Sequence, residues 1–131
     1  MKKLLLFALL FVSVIANGQE TSQSSQDKVF DVVEQMPTFP GGMGALMDFL
    51  SKNVKYPEEA RKNGIQGTVV VTFVVEKDGS ISEPKIARSI DFLIDLEAAR
   101  VISKMPKWNP GKQMGEIVRV KYALPVTFRL Q

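Results

Sequence analysis

A chain of 131 residues, of which 45% are hydrophobic and 24% are charged, has room for one globular domain and little else. The formal net charge is +3, but Lys2 and Lys3 belong to a segment that we expect to be removed, so the rest of the chain is close to neutral. A near-neutral protein gains little from releasing counterions on a phosphate backbone, which argues against nucleic acid and anionic membrane surfaces as partners.

The first 18 residues have the pattern of a signal peptide. Lys2 and Lys3 precede an apolar run over Leu4–Ala16, and Ala16-Asn17-Gly18 places small residues before a cut at Gln19. This run of about 13 residues gives roughly 20 Å of helix, whereas a bilayer core of about 30 Å needs nearer 20 residues. We expect a cleaved, periplasmic protein; an uncleaved segment is the alternative, and it would be the only membrane contact.

The domain is expected to cover residues 29–131, after a polar, flexible tether at 19–28. Its extension, residues 29–55, opens with a mixed stretch over Val29–Phe39 that suits an extended segment lying against a core. A helix over Met43–Asn53 follows, with an apolar face formed by Met43, Leu46, Met47 and Leu50. The core, residues 56–131, begins at Tyr56-Pro57, and Pro57 suits the first turn of a short helix over Glu58–Lys62.

Three later segments are predicted to be strands. The segment Gly67–Glu76 is apolar on both faces, which is typical of a central strand, and Asp78-Gly79 after it predicts a hairpin. Ile81–Ser89 contains Pro84, whose missing N–H restricts that strand to an edge. Ile117–Leu130 alternates apolar and polar residues, so one of its faces should be buried and the other wet.

A helix capped by Asp95 and running to about Met105 is expected before the last strand, with a buried face formed by Ala98, Val101, Ile102 and Met105. The fold class is therefore α+β: a three-stranded antiparallel sheet with two or three helices packed on one face. Trp108, in the loop before the last strand, is expected to be a core residue.

The composition also argues against an enzyme. The chain has no histidine and no cysteine, which removes nucleophilic triads, cysteine dyads, the usual zinc ligands and disulfides. Glu58 and Glu59 are adjacent and diverge, and the acidic residues near Asp95 suit a helix start. We expect no catalytic residue, no metal and no cofactor.

From Tyr56 onward the sequence resembles the C-terminal domain of TonB proteins. The matching elements occur in the family's order: Tyr56-Pro57-Glu58-Glu59-Ala60-Arg61, Gly64-Ile65-Gln66-Gly67, the valine-rich strand with Phe73, Asp78-Gly79, a helix with Ala98, Met105-Pro106-Lys107-Trp108-Asn109-Pro110-Gly111, and Pro125-Val126-Thr127-Phe128. The extension, with Met36-Pro37-Thr38-Phe39-Pro40-Gly41-Gly42, resembles one found in TonB-like proteins of Bacteroidetes-type bacteria. The long Pro-rich spacer of the family has no counterpart in this sequence.

The resemblance implies a protein-binding domain that recognises TonB-box segments of outer-membrane receptors by β-strand addition at the last strand. The residues expected to contact the partner are Asn53, Val54, Lys55, Tyr56, Val118, Arg119, Val120, Lys121, Tyr122 and Ala123. Arg119 and Lys121 are expected to point to solvent. There they either contact the partner segment or, as charged residues on an edge strand, prevent aggregation. A homodimer through the last strand is a competing use of the same edge. There are two alternative functions. The protein could be an anchored energy transducer that works with ExbB and ExbD, or a scaffold that binds peptidoglycan.

Overall fold

The structure is a computed structural model that describes residues 28–131, so the predicted signal peptide and nearly all of the predicted tether lie outside the described part. The helices are α1 (Met43–Asn53), α2 (Glu58–Lys62) and α3 (Phe92–Ser103). The strands are β1 (Val29–Phe30), β2 (Gly67–Val75), β3 (Ile81–Arg88), β4 (Gly111–Gln113) and β5 (Glu116–Phe128). No helix within residues 28–131 has the length and apolar character needed to cross a membrane.

β2 is the central strand of the antiparallel sheet, as its two apolar faces predict. It pairs with β5 on one side and with β3 on the other. Val71 and Phe73 belong to the core beneath the helices, whereas Val74 is buried on the opposite face of the sheet. A strand that is paired along both edges, buried on one face and half-buried on the other leaves little room for charged side chains, which explains the run of β-branched residues.

The predicted hairpin and the predicted edge strand are both confirmed. Asp78-Gly79 forms the turn between β2 and β3, and β2 is the only strand within residues 28–131 that pairs with β3. The pairing shifts register between Thr72 and Val74, opposite Glu83, which has a positive φ of 49°. Pro84 lies beside Glu83 in this bulge, where a missing N–H disturbs the ladder least.

β5 shows the predicted alternation. Its buried side chains are Val120, Leu124, Val126 and Phe128. The intervening residues Lys121, Ala123, Pro125 and Thr127 are exposed. The helices pack on the buried face, so the α+β class with helices on one side of the sheet is confirmed.

Two short strands join the three that were predicted, and one of them, β1, makes the sheet mixed. β1 runs parallel to β5 and pairs only with Arg119 and Val120, while β4 forms a hairpin with residues 116–118. The extension is held there by Glu34, whose carboxylate accepts the Met114 N–H at 2.9 Å. Strands of two and three residues are too short to show an alternation of apolar and polar residues in the sequence. Only the tertiary contacts reveal them.

The bounds of α1 and α2 agree with the prediction, but the buried face of α1 is narrower than predicted. Leu46 and Leu50 are buried, whereas Met43 and Met47 are 62% and 48% exposed. The helix therefore touches the core along one row of side chains, and its second apolar row faces outward.

α3 begins four residues earlier than predicted. Its cap is Asp91, whose carboxylate accepts the Leu93 N–H at 3.0 Å, while Asp95 lies inside the helix and accepts the Ile90 N–H. Starting at residue 92 buries Ile94, which lies one turn before Ala98 on the same face. The burial of this additional apolar side chain decides between the two possible caps.

Candidate partner-binding edge

The outer edge of β5 is open along most of its length. β2 pairs with residues 120–128 of β5 on one side, whereas on the other side β1 covers only Arg119 and Val120. No strand within residues 28–131 occupies that side from Lys121 to Phe128. Eight residues of strand span about 26 Å at 3.3 Å per residue. Apart from Pro125, which has no N–H, their unpaired main-chain groups form a template on which another strand can pair.

The open edge begins three residues later than the sequence suggested. Val118 pairs with Gly111 of β4, and Arg119 and Val120 pair with β1. Lys121, Tyr122 and Ala123, the other predicted contacts on this strand, lie on the open part.

Arg119 does not point freely to solvent, contrary to expectation. Its Nε donates to Glu76 Oε1 at 2.7 Å and its Nη2 to Glu83 Oε2 at 3.2 Å, and the side chain is only 20% exposed. The hydrogen bond from Arg119 holds the pKa of the Glu76 carboxyl below its ordinary value. Arg119 therefore ties the three strands together across the outer face, while Lys121 is exposed as predicted.

The segment before Tyr56 is fastened to α3 through its main chain. Arg100 Nη2 donates to the Asn53 carbonyl at 2.8 Å, and the Lys55 N–H donates to Glu97 Oε2 at 2.7 Å. Arg100 and Glu97 form an ion pair, and the hydrogen bond from Arg100 lowers the pKa of Glu97. The polar main chain of Asn53 and Lys55 is thus engaged within the domain, and the Asn53 side-chain amide donates to the Phe49 carbonyl at 2.8 Å. The exposed side chain of Lys55 is left for any partner.

A groove of about 700 Å³ runs between α1 and the end of β5. Met47, Leu50 and Val54 form its apolar wall, and residues 125–129 of β5 form the opposite side. Tyr56 also lines the groove, and its ring meets that of Phe128 edge-on at 5.6 Å between centroids. Of the predicted segment 53–56, Val54 and Tyr56 line the groove.

The sequence analysis missed Met47, Arg61 and the stretch 124–128 as candidate contacts. The period-two pattern extends through residue 128, so it could have placed the edge further along β5. That α1 faces this end of the strand follows only from the packing of Leu46 and Leu50 into the core.

The other free edge of the sheet, along β3, is less suited to pairing. It is interrupted by the bulge at Glu83 and by Pro84, and its residues 83–85 are all exposed. Bulges, proline and charged side chains are the features that keep edge strands from pairing.

The comparisons with known proteins agree with this architecture. The sequence model of the family described as Gram-negative bacterial TonB protein C-terminal matches residues 52–130. The fold is similar to the C-terminal domain of Helicobacter pylori TonB, solved by NMR as residues 194–285, with a TM-score of 0.52 and 22% identity over 66% of this chain and 91% of that one.

A longer form of the same domain, residues 179–285, gives a TM-score of 0.51 and 23% identity over 66% of this chain and 78% of that one. No curated protein matches the sequence. The family match covers more than half of the chain and includes the open strand and the β5 side of the groove, whereas Met47 and Leu50 of the groove lie before the matched residues. The chain belongs to the TonB C-terminal family, whose role is protein binding linked to TonB-dependent transport.

Proposed function

We propose that this protein is a periplasmic binding module that captures an extended segment of an outer-membrane TonB-dependent receptor by strand addition to β5. The observation that carries the proposal is the open edge from Lys121 to Phe128, which lies beside an apolar groove. Main-chain hydrogen bonds along such an edge supply affinity, and pockets for alternate side chains supply specificity. The groove beside Met47 and Val54 offers a place for apolar side chains of the incoming strand.

Export is part of the proposal. The pattern over residues 1–18 supports a signal peptide cleaved before Gln19, which would deliver the domain to the compartment where receptor segments are exposed. Mass spectrometry of the protein isolated from the cell envelope tests this step. An N-terminus at Met1 would support the anchored alternative instead.

Strand addition is tested by titrating the ¹⁵N-labelled protein with a synthetic receptor TonB-box peptide. We expect amide shifts concentrated at residues 121–128, with residues 81–88 of β3 as the internal reference. If no shifts occur at about 1 mM peptide, the dissociation constant is above about 1 mM and the free energy of binding is weaker than roughly −4 kcal/mol. This result would reject the proposal.

Two methionines of α1 provide a matched pair of variants. Met47→Gln removes an apolar side chain from the groove, and Met43→Gln removes one that is also exposed but does not line the groove. We expect weaker peptide binding for Met47→Gln and unchanged binding for Met43→Gln. Equal effects of the two substitutions would place the binding site elsewhere.

A further inference from the structure

The face of the sheet opposite the helices carries a second cavity. Its volume is about 260 Å³, and it shares no lining residue with the groove beside α1. Val74, which is only 4% exposed, and the half-buried Thr72 form its floor on the central strand. The neighbouring strands flank this floor, since Thr72 pairs with Lys85 of β3 and Val74 pairs with Lys121 of β5.

Three charged side chains at this cavity have no partner of opposite charge in the described part of the chain. Lys85 and Lys121 line it from β3 and β5, and Asp31, which directly follows β1, lines it as well. Within residues 28–131 none of the three side chains forms an ion pair or a hydrogen bond. The Thr72 hydroxyl also has no hydrogen-bond partner among these residues. Polar groups that converge on a cavity and are not bonded to each other are available to a ligand.

Glu83, the fourth charged residue at the cavity, is already engaged. Its Oε2 accepts a hydrogen bond from Arg119 Nη2 at 3.2 Å. Glu83 lies in the bulge of β3 with a φ of 49°, in the left-handed region that non-glycine residues rarely adopt. Bulges of this kind redirect side chains, and such backbone conformations are frequent at binding sites. With Glu83 held by Arg119, the charge left at the cavity is that of two ammonium groups and one carboxylate.

We propose that this cavity binds a free acidic α-amino acid. The two carboxylates of the ligand pair with Lys85 and Lys121, and its ammonium group pairs with Asp31. The charges of the ligand thus mirror those of the unpartnered side chains. The cavity is slightly smaller than the roughly 300–1,000 Å³ of sites for drug-sized molecules, which suits a ligand of about ten non-hydrogen atoms. The cavity is separate from the groove, so its ligand is independent of the proposed function.

Three molecules of nearly equal size separate the contributions of the ligand's charges. L-Glutamate carries both carboxylates and the ammonium group, glutarate lacks the ammonium group, and L-glutamine lacks the side-chain carboxylate. Each is titrated at neutral pH into the ¹⁵N-labelled protein, with the amides of residues 31, 72, 85 and 121 as reporters. We expect L-glutamate to give saturable shifts with a dissociation constant of about 1 mM. Glutarate and L-glutamine should each bind about 2- to 5-fold more weakly, because each lacks one exposed ion pair.

Lys85→Gln and Arg88→Gln form the matched pair of protein variants. Each removes one positive charge from an exposed residue of β3, but only residue 85 lines the cavity. Binding of L-glutamate should weaken in Lys85→Gln and stay unchanged in Arg88→Gln. Asp31→Asn removes the partner of the ammonium group, so this variant should bind L-glutamate and glutarate equally.

Three results would overturn the assignment. Equal binding of L-glutamate and glutarate to the unaltered protein would show a site for simple anions. Equal weakening in Lys85→Gln and Arg88→Gln would show a general effect of positive charge on this face of the sheet. If L-glutamate gives no saturable shifts up to about 50 mM, the cavity does not bind this class of ligand. Strand addition at β5 is tested with a receptor peptide and stands or falls separately.

Discussion

Replacing Gly79 by alanine should destabilise this domain far more than the same change at a second glycine of similar conformation. Gly79 lies in the β2–β3 turn with a φ of 91°, and an added Cβ would lie 2.2 Å from the carbonyl oxygen of Trp108. Real Cβ contacts essentially never fall below 3.0 Å. Because the obstacle is main chain rather than a flexible side chain, the loop around Trp108 has to move.

The expected loss can be built from three contributions. A left-handed backbone costs alanine about 1–2 kcal/mol. Forcing packed groups apart costs about 1–3 kcal/mol, and distorting the hydrogen bond from the Trp108 N–H to the Gly79 carbonyl, which is 2.8 Å long, costs about 1 kcal/mol. These contributions overlap, so we expect Gly79→Ala to lower the free energy of unfolding by about 3–5 kcal/mol.

Gly64→Ala is the matched control. Gly64 also has a positive φ, 68°, but an added Cβ there meets nothing within 4 Å, so only the backbone cost of about 1–2 kcal/mol remains. Urea unfolding followed by the fluorescence of Trp108, the single tryptophan, and by far-UV circular dichroism measures both variants. Losses that agree within about 0.5 kcal/mol would refute the close contact between the turn and the Trp108 loop.

Two further predictions concern stability. Leu46→Ala should cost about 2–5 kcal/mol because Leu46 is buried in the core, whereas Met47→Ala, at a half-exposed position, should cost less than about 1 kcal/mol; equal urea midpoints would show that α1 does not pack as described. The pKa values of Glu76 and Glu97 are lowered by hydrogen bonds from arginines, so their stabilisation is present above the ordinary carboxyl pKa of 4.5 and is lost as pH falls below it. Glu76→Gln should make the acid-induced fall of the urea midpoint shallower, and an unchanged pH profile would contradict this role.

The helices and strands that could be predicted from the sequence are those whose own residues show a clear pattern of apolar side chains, proline or glycine. The double-sided apolar run of β2 determined its central place, the period-two pattern of β5 determined which face is buried, and Pro84 determined an edge. The bounds of α1 and α2 followed from Pro57 and the glycines beside the helices. In each of these cases the side chains report the environment of their own strand or helix, because burial of apolar faces sets the pattern.

Only the tertiary structure decided which part of β5 forms the open edge. The two residues of β1 carry no periodic signal, yet their position next to Arg119 fixes where the open stretch of β5 begins. The sequence could not show that Arg119 finds carboxylates on β3 and at the end of β2, or that the Gly79 turn abuts Trp108. Which main-chain groups stay unpaired depends on every segment that reaches the sheet, and that arrangement is set by contacts between residues far apart in the chain.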